Sequence, residues 1–227
     1  MKKFPLRKSA AEFIGTFFLV FTGTGAIIIN DVSGGAVTHL GIALSFGLAV
    51  AIMIYTIGDI SGAHMNPAVS YGFWLAGRFP TSKLFPYIVS QCAGALTASV
   101  MLYLLFPEHP TLGATIPSGS LLQSFVFEVL LTFFLMFVIM NVSSGSKETG
   151  MMAGLAIGGL VGLEALFAGK ISGASMNPAR SLAPALVSGN WQSLWIYIIA
   201  PLIGVHLSIL SCRLIRVKDC CSGDSCS

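Results

Sequence analysis

Charge is what this sequence lacks. Of its 227 residues only 9% are Asp, Glu, Lys or Arg, against roughly 25% in an ordinary soluble domain. A soluble globule of this length could not cover its surface with so few charges, which excludes a water-soluble enzyme or scaffold. The deficit is also segregated, since residues 36–57, 84–107 and 181–212 contain no charged side chain at all. Each stretch reaches the ~20 apolar residues that a helix needs to cross a bilayer.

Other absences narrow the reading further. No His/Cys spacing resembles a metal-ligand set; His39 and His64 read instead as partners for loop backbone. No nucleophile, base and oxyanion arrangement stands out, so no enzymatic activity, metal or cofactor is expected. The five cysteines form no disulfide framework. Cys92 and Cys212 lie in or at the end of apolar runs, while Cys220, Cys221 and Cys226 crowd a polar tail on the reducing side, where thiols stay reduced. The first apolar run is too long for a signal peptide and lacks its small-residue cleavage pattern, so it belongs to the mature fold.

What is present is a set of apolar runs that predicts six spans, at about 9–30, 37–57, 84–106, 121–141, 150–169 and 192–213. An even number puts both termini on one face. Lys2, Lys3, Arg7, Lys8, Arg78, Lys83, Lys147, Arg213, Arg216 and Lys218 fall on that face, leaving Lys170 and Arg180 opposite. The positive-inside bias makes both termini cytoplasmic. The net charge of +3 thus describes topology and points to no nucleic-acid partner. Short segments outside the spans suggest a prokaryotic inner, that is plasma, membrane.

The chain is internally duplicated. Residues 61–70, Ser-Gly-Ala-His-Met-Asn-Pro-Ala-Val-Ser, match residues 172–181, Ser-Gly-Ala-Ser-Met-Asn-Pro-Ala-Arg-Ser, at eight of ten positions. Residues 12–21 match 128–137 at six of ten, each copy opening on a glutamate, Glu12 or Glu128. Each half carries three spans, so the second copy is inserted upside down. The predicted fold is all-α: six transmembrane helices plus two half-helices in an inverted repeat. One channel domain would cover 1–214, with repeats at about 9–106 and 121–213, followed by a tail at 215–227.

The half-helices begin at the repeated Asn-Pro-Ala. From 66 to 76 and from 177 to 187 the chain is about 11 residues long, some 16 Å of helix and too short to cross. Asn66 and Asn177 are good N-caps, and Pro67 and Pro178 suit the first helical position; Ala68 and Ala179 complete the two motifs. Irregular backbone at membrane depth is tolerated only where it is buried in protein or lines a wet cavity. Two half-helices entering from opposite faces would therefore bring their N-termini together at the midplane. Each N-terminus carries an effective charge of roughly +0.5, which repels cations, while the Asn amides can donate to a passing oxygen. Such a centre suits small neutral polar solutes.

Arg180 occupies the first turn of the second half-helix, where the dipole disfavours a cation, and its repeat counterpart is the neutral Val69. An intramembrane Arg is costly and points to function; it reads as a pore-lining donor and a second barrier to cations, with snorkelling to an interface as the alternative. Glu12 and Glu128 read as buried acceptors for the loop backbone rather than a proton relay. Glu164 has no repeat partner; it reads as another loop brace, with a pore-facing carboxylate as the alternative.

Residues 9–214 resemble the aquaporins, or major intrinsic proteins, through the twin Ser-Gly-Ala-x-Met-Asn-Pro-Ala motifs, Arg180 and the two glutamates. The resemblance implies a homotetramer in the lipid bilayer, one pore per subunit, and an aromatic/arginine selectivity filter at Phe46, Ala165, Ala174 and Arg180. Water-selective members typically carry His and Thr or Cys where this chain has Ala165 and Ala174. Small side chains there widen the constriction for solutes larger than water. Ser181 replaces the Asp usual in glycerol facilitators. The run from Ala168 through Leu182 looks most like the nodulin-like branch and its bacterial relatives, apart from Lys170, where Pro is usual. That branch passes metalloid hydroxides, so the resemblance implies a passive channel for neutral solutes, arsenite foremost, with water and glycerol also admitted. The tail thiols are soft donors able to bind trivalent arsenic, or else form an unstructured tail with no transport role. The reading from another class is an ion-coupled secondary transporter, which would need paired acids at the midplane.

Overall fold

In hydrocarbon every backbone N–H and C=O must find a partner within the protein, so uncharged runs of this length can only become helices. A computed structural model describes residues 6–143 and 151–215, and its described residues form eight helices and no strand. Six are long and apolar enough to span a membrane: α1 (Leu6–Val32), α2 (Thr38–Ser61), α4 (Thr81–Leu105), α5 (Leu121–Val142), α6 (Ala153–Ser172) and α8 (Leu194–Ile215). The two short ones are α3 (Pro67–Leu75) and α7 (Pro178–Ser188). Lys2, Lys3, Lys147, Arg216, Lys218 and the tail residues Cys220, Cys221 and Cys226 lie outside the described residues.

Helices α2 and α6 run three or four residues further than the apolar pattern suggests, ending at Ser61 and Ser172. The reason lies in the residue that follows. Gly62 and Gly173 both adopt a left-handed φ of +89° and return their N–H groups to the carbonyls of Gly58 and Gly169, the glycine C-cap that stops a helix without steric penalty.

The halves are built alike. In the first, α1 packs on α2 and α4; in the second, α5 packs on α6 and α8; α2 and α6 join the two. Small residues set these approaches, as in other membrane bundles where lipid supplies no hydrophobic drive for helix association. A Cβ on Gly94 of α4 would strike the carbonyl oxygen of Phe13, and one on Gly204 of α8 that of Val129. These are equivalent contacts in the two repeats. Between the halves, a Cβ on Gly47 would lie 2.6 Å from the carbonyl oxygen of Gly158, and one on Gly158 2.5 Å from that of Gly47. A contact that maps onto itself in this way lies on the pseudo-two-fold axis. Large apolar side chains cover the outer surface, among them Leu104, Leu122 and Leu207, as a lipid-facing exterior requires.

Replacing Gly204 by Val should therefore overpack the α5–α8 contact and cost about 1–3 kcal/mol, seen as a lower thermal unfolding midpoint in detergent. Gly159→Ala, where an added Cβ meets nothing within 4 Å, should leave that midpoint unchanged or raise it.

Candidate functional site

The stretch before each half-helix is neither helix nor strand, and its backbone is strained in the same way twice. Ala63 and Met65 have φ of +48° and +49°; Ala174 and Met176 have +41° and +54°. Non-glycine residues pay roughly 1–2 kcal/mol each for such left-handed geometry. One buried carboxylate holds each loop in place. Glu12 Oε1 accepts from His64 N at 2.9 Å and Ser61 Oγ at 2.7 Å, and its Oε2 accepts from Met65 N at 2.7 Å. Glu128 Oε1 accepts from Ser175 N at 2.9 Å and Ser172 Oγ at 2.9 Å, and its Oε2 from Met176 N at 2.8 Å. Both side chains are wholly buried. A carboxylate suits the task because it accepts on both oxygens and donates nothing.

The bracing shells differ in detail. Gln91 Nε2 donates to Glu12 Oε2 at 2.7 Å and to Ser70 Oγ at 2.9 Å, whereas the position equivalent to Gln91 in the second half is Pro201. Tyr87 and Tyr197 each donate their hydroxyl to the last carbonyl of the preceding span, Ser61 and Ser172, at 2.9 and 2.5 Å. Residue type alone does not mark these positions as braces. Their signal was nevertheless available: Leu84, Tyr87, Ile88 and Gly94 recur with identical spacing as Leu194, Tyr197, Ile198 and Gly204.

Held this way, the two helix starts meet. Asn66 Oδ1 caps Ala68 N at 2.8 Å, and Asn177 Oδ1 caps Ala179 N at 3.0 Å with a longer approach to Arg180 N at 3.4 Å. Each Nδ2 then crosses to the other half: Asn66 donates to the Met176 carbonyl at 2.7 Å and Asn177 to that of Met65 at 2.9 Å. The carboxamide NH2 has two hydrogens, so one serves the junction and the other remains for an oxygen in the pore. Pro67 and Pro178 occupy the first helical position of α3 and α7, and Ala68 and Ala179 are wholly buried behind them.

Both asparagines line a cavity of about 140 Å³, as do Phe46, Ala174 and Arg180, with Val50, Ile157 and Val161 supplying an apolar wall. Arg180 is 3% exposed, donates from Nη1 to the Gly113 carbonyl at 2.9 Å, and has its guanidinium carbon 5.0 Å from the Phe46 ring centroid. Its Nε has no hydrogen-bond partner among the described residues. The side chain therefore stays at the cavity wall and does not extend to an interface. Gly113, in the connection between the halves, contributes only a backbone carbonyl, which no side-chain pattern announces. Ala165 is buried on α6 but is not among the residues lining this cavity; Val161, one turn earlier on the same face, is.

Three other polar residues take positions of their own. His39 Nε2 lies 2.6 Å from the Leu166 carbonyl, which is helix rather than loop backbone. His64 Nδ1 lies 3.0 Å from Ser70 Oγ, and the ring sits among Phe73, Phe79 and Tyr87. Glu164 is 2% exposed with Oε2 unpartnered. Among the described residues it bonds to neither loop, so the bracing reading fails for it: α6 presents position 164 to no loop N–H. No group of His, Cys, Asp or Glu among the described residues is arranged to hold a metal ion.

Two half-helices capped by Asn-Pro-Ala, crossed at the midplane and flanked by a buried Arg, match a known design. The family profile of the major intrinsic proteins covers residues 1–211. The chain belongs to the major intrinsic protein family. Aquaporin NIP1-1 of Zea mays is 47% identical over 215 residues, spanning 94% of this chain and 76% of the relative. Nodulin-26 of Glycine max is 42% identical over 215 residues, spanning 94% of this chain and 79% of the relative. Among solved structures, the aquaglyceroporin from Plasmodium falciparum superposes with a TM-score of 0.81 at 26% identity, covering 93% of this chain and 97% of that one. The protein is thus a multi-pass membrane channel of the aquaporin type and not an enzyme.

In this aquaporin-type channel the Glu128 carboxylate can be tested directly. Glu128→Gln puts an NH2 where Oε2 now accepts from Met176 N, leaving a buried donor unpaired at about 1–3 kcal/mol. The unfolding midpoint should fall, and solute flux in proteoliposomes should fall with it.

Proposed function

We propose that this major intrinsic protein is a passive, bidirectional channel for small uncharged solutes, with trivalent metalloid hydroxides such as arsenite foremost and water and glycerol also admitted. The observation that carries the reading is the pairing of charge rejection with a permissive constriction. Two helix N-termini and the Arg180 guanidinium face one cavity, a field hostile to cations and hydronium. Ala174 on the same wall, and Ala165 on α6, bring neither a ring nor a hydroxyl. Phe46 and Arg180 then form the remaining filter pair, and a solute larger than water that can accept from Arg180 fits the opening. Arsenite is a neutral hydroxide near neutral pH, so it meets both conditions.

The similarity to plant nodulin-26-type aquaporins supports the same branch assignment, and the aquaglyceroporin neighbour supports glycerol as a second cargo. We further propose one channel domain over 1–214 with a separate tail at 215–227, a homotetramer, and residence in a plasma membrane with both termini cytoplasmic. The Asn-Pro-Ala residues would form the central junction, Phe46, Ala165, Ala174 and Arg180 the filter, and Glu12 and Glu128 the braces. The ion-coupled alternative is the weaker: Glu12 and Glu128 are each committed to a loop, and the buried Glu164 Oε2 has no acid hydrogen-bonded to it among the described residues.

Arsenite, glycerol and water fluxes into proteoliposomes test the proposal. The unmodified protein should accelerate arsenite entry, and Ala165→His combined with Ala174→Thr should cut arsenite and glycerol flux while water flux persists. Failure to accelerate any neutral solute would overturn the channel reading; an unchanged solute ratio in the double variant would overturn the filter assignment.

A further inference from the structure

A second cavity, of about 430 Å³, opens on the face where α1 begins. Its wall brings together cations from three separate segments: Lys8 near the start of α1, Arg78 in the turn after half-helix α3, and Lys83 in the first turn of α4. Among the described residues that line it, Asp59 is the one carboxylate. None of Lys8, Arg78 and Lys83 makes an ion pair within 4.0 Å among the described residues. In a chain with so few charges, three unneutralised cations at one cavity are a costly arrangement unless an anion visits.

Arg78 is already positioned for such a guest. Its Nη2 donates to the Ser143 carbonyl at 3.0 Å and its Nη1 to Ser143 Oγ at 3.3 Å, and its guanidinium carbon stands 5.3 Å from the Phe73 ring centroid. These contacts fix the plane of the guanidinium and leave part of its five-donor fork uncommitted. A planar Arg fork beside two Lys point charges is the donor set that holds a phosphoryl oxyanion.

The cavity also adjoins the pore. Gly62, His64, Phe73 and Ser143 line both it and the central cavity. An anion seated against Arg78 would stand at that mouth of the pore and obstruct solute passing His64.

We propose that this cavity binds a phosphoryl oxyanion between Lys8, Arg78 and Lys83, and that occupancy lowers solute flux. The chemistry is shared by free inorganic phosphate and by the phosphate of an anionic lipid headgroup, which attracts basic residues at a membrane surface. The site does not depend on which neutral solute the pore carries.

Two readouts on the full-length protein decide it. In detergent, inorganic phosphate should raise the thermal unfolding midpoint saturably, because a ligand that binds only the folded state stabilises it. Lys8→Gln with Lys83→Gln should weaken that binding roughly tenfold or more, whereas Lys170→Gln on the opposite face should not. In proteoliposomes of phosphatidylcholine, solute flux should fall when inorganic phosphate or phosphatidic acid is added, and the double variant should be insensitive. A fall with phosphatidic acid alone assigns the site to lipid; a fall with phosphate assigns it to the free ion. No saturable shift with phosphate and no effect of phosphatidic acid would overturn the proposal, as would an equal response in the double variant. Circular dichroism checks that the variant is folded, and Lys83→Gln alone replaces it if it is not. The unfolding shift needs no transport, so it stands or falls separately from the channel reading.

Discussion

Backbone that is neither helix nor strand must find its hydrogen bonds inside the protein when it lies at membrane depth, and here Glu12 and Glu128 provide them. Each carboxylate gathers two consecutive loop N–H groups and a serine hydroxyl, holding left-handed residues that would otherwise relax. Everything at the midplane follows from that grip. The loops set the direction of α3 and α7, the direction sets the crossing of Asn66 and Asn177, and the crossing puts two helix N-termini into one cavity.

The inverted repeat explains why the constraint comes in pairs, and the two halves differ at single positions within it. Val69 is answered by Arg180, Gln91 by Pro201, His64 by Ser175. The first half uses the difference to surround His64 with aromatic rings near one mouth. The second half uses it to set a guanidinium beside Phe46 in the central cavity. A symmetric scaffold thus carries an asymmetric lining.

Much of this was legible in the residues. Uncharged runs gave the six spans because hydrocarbon permits only helices there, and Asn followed by Pro marked the half-helix starts because capping and the missing proline N–H act locally. Repeat arithmetic identified Glu12 with Glu128. What stayed hidden depends on tertiary closure. Arg180 pairs with the Gly113 carbonyl, a backbone group with no side chain to announce it. Glu164 looked like a third brace by residue type alone, yet among the described residues it bonds to neither loop. Span ends were missed where Gly62 and Gly173 prolong α2 and α6, since a glycine C-cap lies outside the apolar pattern.

The role proposed for the facing half-helices and Arg180 is to admit neutral solutes while refusing charge. Its most direct test is to load proteoliposomes of the unmodified protein with a pH-sensitive dye, impose a proton gradient, and follow proton leak alongside arsenite or glycerol entry. Rapid solute entry is expected, with the gradient decaying no faster than in protein-free vesicles. A gradient that collapses as the solute enters, or solute entry that requires the gradient, would contradict it.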